Sequence, residues 1–186
     1  MKKILLFIFF SLKLSCYAQT YPLRTFTSIP ENAYLKDTNN ELSQYEGTWV
    51  GAWNNKTIYL TFKKLTNQYD DVFKYYRDYL IVKSKVVDNN TGNVLFDNTN
   101  VADDKTKIFG GKFRKFDDKY SLIYIDKDLC GKSGRIVINF TDSSNTKLQW
   151  VYSENNQIIE SDCFYWGKSA SERPDPLPFN IILNKQ

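Results

Sequence analysis

The stretch YEGTWVGAWNNKTIYLTF, Tyr45 to Phe62, folds back on itself if Asn54-Asn55 is a two-residue hairpin turn. That turn pairs Trp53 with Lys56, Gly51 with Ile58 and Trp49 with Leu60. Side chains then separate by face: Trp49, Gly51, Ile58, Leu60 and Phe62 on one, and Thr48, Val50, Ala52, Thr57, Tyr59 and Thr61 on the other. One strongly apolar face and one mixed face is what an antiparallel sheet with a single side on a core requires.

The pattern recurs along the chain. In YDDVFKYYRDYLIVKSKVV, Tyr69, Val72, Phe73 and Tyr76 recur at helical spacing, whereas the β-branched and aromatic run from Tyr75 reads as strand. We expect a loop or helical turn to about Lys74 and a long strand to Val87. Short runs follow, separated by turn residues: NVLFD, KIFGGKFRKF, KYSLIYID, GRIVINFT, KLQWVYSE, QIIESDCFYWG and FNIILNK. Aromatic residues make up 16% of the chain, which favours pleated, half-buried surfaces. The expected fold is all-β, an antiparallel up-and-down barrel or a closely related sandwich of roughly eight to ten strands. Ahead of it, residues 19–40 form an extended lead-in. NNELSQYEG is compatible with one helical turn, capped by Asn40 and ended by Gly47. Residues 41–186 read as a single β-barrel domain.

Residues 1–18 have Lys2 and Lys3, an apolar stretch from Ile4 to Leu12 and a small residue at Ala18. This is the pattern of a secretory signal peptide, too short to span a bilayer, with cleavage after Ala18. A lipoprotein reading through Cys16 wants an aliphatic residue three positions earlier, where Lys13 stands. Loss of Lys2, Lys3 and Lys13 leaves 22 basic against 21 acidic residues, so a net charge of +4 falls to +1. No transmembrane segment is then expected in the mature chain. Without a positive field or basic stripe there is no electrostatic footprint for nucleic acid. The remaining pair, Cys130 and Cys163, reads as a disulfide in an oxidising periplasmic or extracellular setting, with two buried thiols as the alternative.

The chain has no histidine. That removes Ser-His-Asp and Cys-His nucleophilic arrangements and the usual zinc sites, so no catalytic residue, metal or cofactor is assigned. FGGKF lacks the helix a phosphate loop must lead into. Glu160 and Asp162 are two apart on one expected strand and so share a face, the arrangement a carboxylate-dependent hydrolase would use. They also fit a solvated outer face. Asp126 and Asp128 open like a calcium loop, but Val137 stands where the closing Glu belongs, which leaves only a weak surface cation site. Trp150, Tyr152, Phe164, Tyr165 and Trp166 cluster late in the chain, either as core or as an exposed platform for sugars or a partner.

YLKDTNNELSQYEGTW, YYRDYLIVKSKVV and LPFNIILNKQ resemble a family of secreted flavobacterial proteins with a domain of unknown function (6705). The helical turn followed by Gly47, Thr48 and Trp49 also resembles the entry to lipocalin-like (calycin-type) barrels. That likeness implies a Trp49 that plugs the closed end and a cavity for a small apolar ligand, lined or floored by Trp49, Ile58, Leu60 and Phe62. It also implies a stacking arginine, for which Arg135 is the counterpart. By what it lacks, the sequence favours binding over catalysis. The readings are a small apolar ligand in a cavity, an envelope sugar or protein on surface aromatics, or a hydrolase using Glu160 and Asp162.

Overall fold

Asn54 and Asn55 have φ of 42° and 60°, the left-handed pair a two-residue turn between antiparallel strands needs. The structure, a computed structural model, describes residues 19–156, 158–169 and 172–186. The expected leader, with Cys16 and Ala18, lies outside the described residues. The strands are β1 (Thr20–Pro22), β2 (Tyr34–Lys36), β3 (Gly47–Trp53), β4 (Lys56–Asp70), β5 (Tyr75–Asp88), β6 (Val94–Asp97), β7 (Ile108–Phe113), β8 (Tyr120–Asp126), β9 (Lys132–Phe140), β10 (Lys147–Glu154) and β11 (Asn180–Lys185).

Eight of them close a barrel. The hydrogen-bonded ring runs β3, β4, β5, β7, β8, β9, β10, β11 and back to β3, every pair antiparallel. Each strand is followed by its neighbour, with only short β6 interposed, so the topology is up-and-down. The first hairpin has the register expected from its sequence, Trp53 on Lys56, Gly51 on Ile58 and Trp49 on Leu60. Three strands share the second edge of β5. Its Tyr76 and Arg77 pair with β2, Ile81 and Val82 with β7, and Lys85 to Val87 with β6. The lead-in is therefore not wholly irregular: β1 and β2 form a parallel pair that extends the sheet beyond the barrel.

Three local expectations are corrected. β4 continues to Asp70, so Tyr69 is strand and pairs with Tyr76, past a bulge between Leu65 and Gln68 where Asn67 has φ 52°. The turn over Leu42–Tyr45 is 3₁₀. Asp37 rather than Asn40 satisfies its start, its carboxylate accepting from the Glu41 and Leu42 amides at 2.8 and 3.0 Å. Residues 158–160 have no regular structure and 161–167 form turns and a bend, so the segment is not a strand. Both edges of β10 are already taken, by β9 and β11, so this alternating segment has no edge to join there.

Inside the barrel, Trp49, Ile58, Leu60, Leu80, Val82, Ile108, Leu122, Ile136, Ile138, Leu148, Trp150 and Leu183 are fully buried. Two inward glycines measure how tightly. A Cβ on Gly110 would lie 2.3 Å from the Tyr120 hydroxyl and 2.9 Å from the Leu80 nitrogen. A Cβ on Gly134 would lie 2.4 Å from the Tyr152 ring and from the Ser153 carbonyl oxygen. At the end where β3 begins, two buried carboxylates tie lead-in to barrel. Asp37 also accepts from Lys64 Nζ at 2.7 Å. Asp78 accepts from the Asp37 amide at 2.9 Å, the Tyr34 hydroxyl at 2.6 Å and the Asn67 amide at 2.9 Å. Three donors each meet the demand of a buried carboxylate for partners.

Gly110→Ala is expected to lower stability by about 1–3 kcal/mol through overpacking, read as a lower urea midpoint at unchanged slope. An unchanged midpoint would show that the seam has slack. Burial raises the Tyr45 phenol from its ordinary 10.0 to about 12, and burial with the Asp78 hydrogen bond raises Tyr34 to about 12. Between pH 10 and 12 the folded chain therefore holds protons that the unfolded chain releases. Stability contributed by these groups is full below pH 10 and declines towards pH 12. The share of phenolate absorbance that belongs to Tyr34 and Tyr45 should accordingly rise together with loss of tertiary signal. Ionisation of all tyrosines ahead of unfolding would contradict this.

Candidate functional site

Trp49, Ile58, Leu60 and Phe62 all point inward, and each is at most 2% exposed. They are members of one packed core. The Phe62 ring meets Trp49 edge-on at 6.5 Å, and the indole nitrogen of Trp49 donates to the Tyr45 carbonyl oxygen at 2.8 Å. The cation near Trp49 is not Arg135, which is exposed on β9. Lys185, at the end of β11, places its Nζ 5.3 Å from the ring centroid.

The late aromatic cluster divides. Trp150 and Tyr152 are core, whereas Phe164 is 76% and Trp166 58% exposed. The division follows from the chain path. Trp150 and Tyr152 alternate inward on β10, while Phe164 to Trp166 belong to the turns that cross the opposite end of the barrel. Here Cys163 is joined to Cys130, in the turn between β8 and β9, with Cα atoms 5.9 Å apart. The backbone winds tightly, Cys163 N donating to Glu160 O, Trp166 N to Cys163 O and Lys168 N to Tyr165 O at 2.9–3.2 Å.

The same segment is tied down again further on. Lys132, largely buried, donates to Asp175 at 2.6 Å and to the Pro174 carbonyl oxygen at 3.4 Å, and pairs with Glu154 at 3.1 Å. Leu177 enters the core at 3% exposure. The Trp150 indole donates to Pro178 O at 3.0 Å, the Tyr152 amide donates to Phe179 O at 2.7 Å, and the Tyr152 and Phe179 rings stack. The mouth of the barrel is thus covered by its own chain.

On the outside of this cover lies a cleft of about 350 Å³, lined among the described residues by Ile159, Trp166, Gly167 and Arg173. The Arg173 guanidinium is held by two hydrogen bonds to Lys168 O, at 3.1 and 2.8 Å. Lys168 Nζ sits 4.2 Å from the Phe164 ring centroid. Sequence reasoning found Trp166 and missed Arg173, Ile159 and Gly167. Only RPDPLP marks Arg173, and it reads as a connector.

Glu160 and Asp162 are exposed and lie outside any strand, so strand periodicity places them on no common face. Asp126 and Asp128 are bridged by Lys107, whose Nζ lies 2.8 and 2.7 Å from their carboxylates. The ammonium thus takes the position a weakly bound surface cation would need. Among the described residues no group of three or more His, Cys, Asp or Glu is arranged to hold a metal, and no helix is long and apolar enough to cross a membrane.

Replacing both Cys130 and Cys163 by Ser is expected to cost about 3–4 kcal/mol, from the chain entropy of a loop with a sequence separation of 33. Equilibrium unfolding of the double variant checks it. A midpoint equal to that of the wild type would mean the remaining anchors suffice.

No curated protein and no solved structure matches the chain. One family model does, along its whole length, residues 1–186. The chain belongs to that family, the family of unknown function DUF6705.

Proposed function

We propose that the protein is an exported, non-enzymatic binding module that recognises a sugar or protein of the cell envelope on the loop covering the barrel mouth. One observation carries this. The loop holding Phe164 and Trp166 is fixed by a disulfide, by the contacts of Lys132 and by the insertion of Leu177, yet it turns those rings to solvent. Large apolar side chains held rigidly in water are what a pre-organised contact surface requires. A cavity for a small apolar ligand is the weaker reading. Trp49, Ile58, Leu60 and Phe62 would have to release packed neighbours to admit one.

Trp166→Ala should leave the unfolding midpoint within about 0.5 kcal/mol of wild type, whereas Trp150→Ala should cost about 3–5 kcal/mol. Retention of purified protein on isolated envelope polysaccharide and on envelope protein, compared between wild type and Trp166→Ala, reads the function. Loss of retention with intact folding is expected. Undiminished retention of the variant would reject the surface.

A further inference from the structure

Building on that reading of the loop, we infer that the cleft beside Trp166 takes a sugar unit carrying a carboxylate, a hexuronate of an acidic polysaccharide. Among the described residues its lining is apolar apart from one group: Ile159, the indole of Trp166, Gly167 without a side chain, and the guanidinium of Arg173. A flat exposed indole offers its negative π face to the C–H groups on one side of a pyranose ring. The cleft volume of about 350 Å³ is at the lower end of ligand pockets, about 300–1,000 Å³. That suits a short saccharide better than a folded protein face. An extended peptide would look for a free strand edge, and the amides of Cys163, Trp166 and Lys168 are already used inside the turns.

The charge supplies the class of sugar. Among the described residues, neither Arg173 nor Lys168 forms an ion pair with a carboxylate. The acids nearby are engaged or outside the lining. Glu172 accepts from the amide and hydroxyl of Ser169 at 2.9 and 2.7 Å, and Asp175 is held by Lys132. Glu160 and Asp162 are exposed and do not line the cleft. Arg173 spends Nε and one terminal nitrogen on Lys168 O. This contact fixes the plane of the fork, and no described residue accepts from its other N–H groups, which face a ligand on this reading. A guanidinium so oriented matches a carboxylate with two parallel hydrogen bonds.

Isothermal titration with a tetragalacturonate and with an uncharged tetrasaccharide of the same ring size tests this. The uronate should bind, weaken as sodium chloride is raised, and lose about ten-fold or more in affinity in Arg173→Gln. Arg173→Lys, which keeps the charge without the fork, should fall between. Trp166→Ala should abolish binding. Equal affinity for the uncharged sugar, or an Arg173→Gln variant binding the uronate as wild type does, would overturn the acidic-sugar inference and leave the surface reading standing. Absence of binding to either sugar would overturn the inference. If Trp166→Ala were also retained on envelope material like wild type, the surface reading would fail with it.

Discussion

Where the barrel closes, the Tyr120 hydroxyl approaches the Leu80 amide at 3.4 Å through space that any side chain at residue 110 would fill. The seam is narrow, only Ile81 on Phe109 and Val82 on Ile108 joining β5 to β7. It holds because the inward side chains meet across the barrel at contact distance. A gap there would forfeit both dispersion contacts and buried area. On the reading proposed above, the inward face serves the fold. Recognition, on this account, belongs to the outside.

The outer surface proposed for recognition is the cover of the mouth, and its anchors are unequal. The Cys130–Cys163 bond contributes on the order of 3–4 kcal/mol. The Lys132–Asp175 pair, with a half-exposed carboxylate, is worth about 1 kcal/mol or less. Leu177, buried in the core, adds roughly 1.5–3 kcal/mol of apolar burial. The disulfide and the leucine therefore set the position of the loop, and the ion pair refines it. At the opposite end the task falls to the hydrogen-bonded carboxylates of Asp37 and Asp78, which lock β2 and the 3₁₀ turn across the base. Among the described residues, chain crosses both ends of the barrel.

The first hairpin was legible to the residue because period-two alternation and Asn54-Asn55 point to one register. The pairing of Cys130 with Cys163 followed from parity and compartment. What escaped was decided far away in the chain. The end of β4, KKLTNQYD, has only Leu65 and Tyr69 as apolar positions, and its pairing with β5 makes it strand. QIIESDCFYWG alternates as a strand does, but no edge of β10 remains for it. Asn40 looks like a cap, yet Asp37 reaches the turn amides because Asp78 holds the Asp37 backbone. Arg173 sits in a proline-rich connector whose sequence carries no sign of its contact with Lys168.

The most direct test of the account is to locate ligand contacts by amide chemical-shift mapping. The labelled protein would be titrated separately with fragments of envelope polysaccharide and with a medium-chain fatty acid. The account predicts shifts confined to residues 158–169 and 172–175 with the polysaccharide, and none at interior positions with the fatty acid. Shifts centred on Trp49, Ile58, Leu60 and Phe62 on adding the fatty acid, with the covering loop unperturbed by polysaccharide, would contradict it.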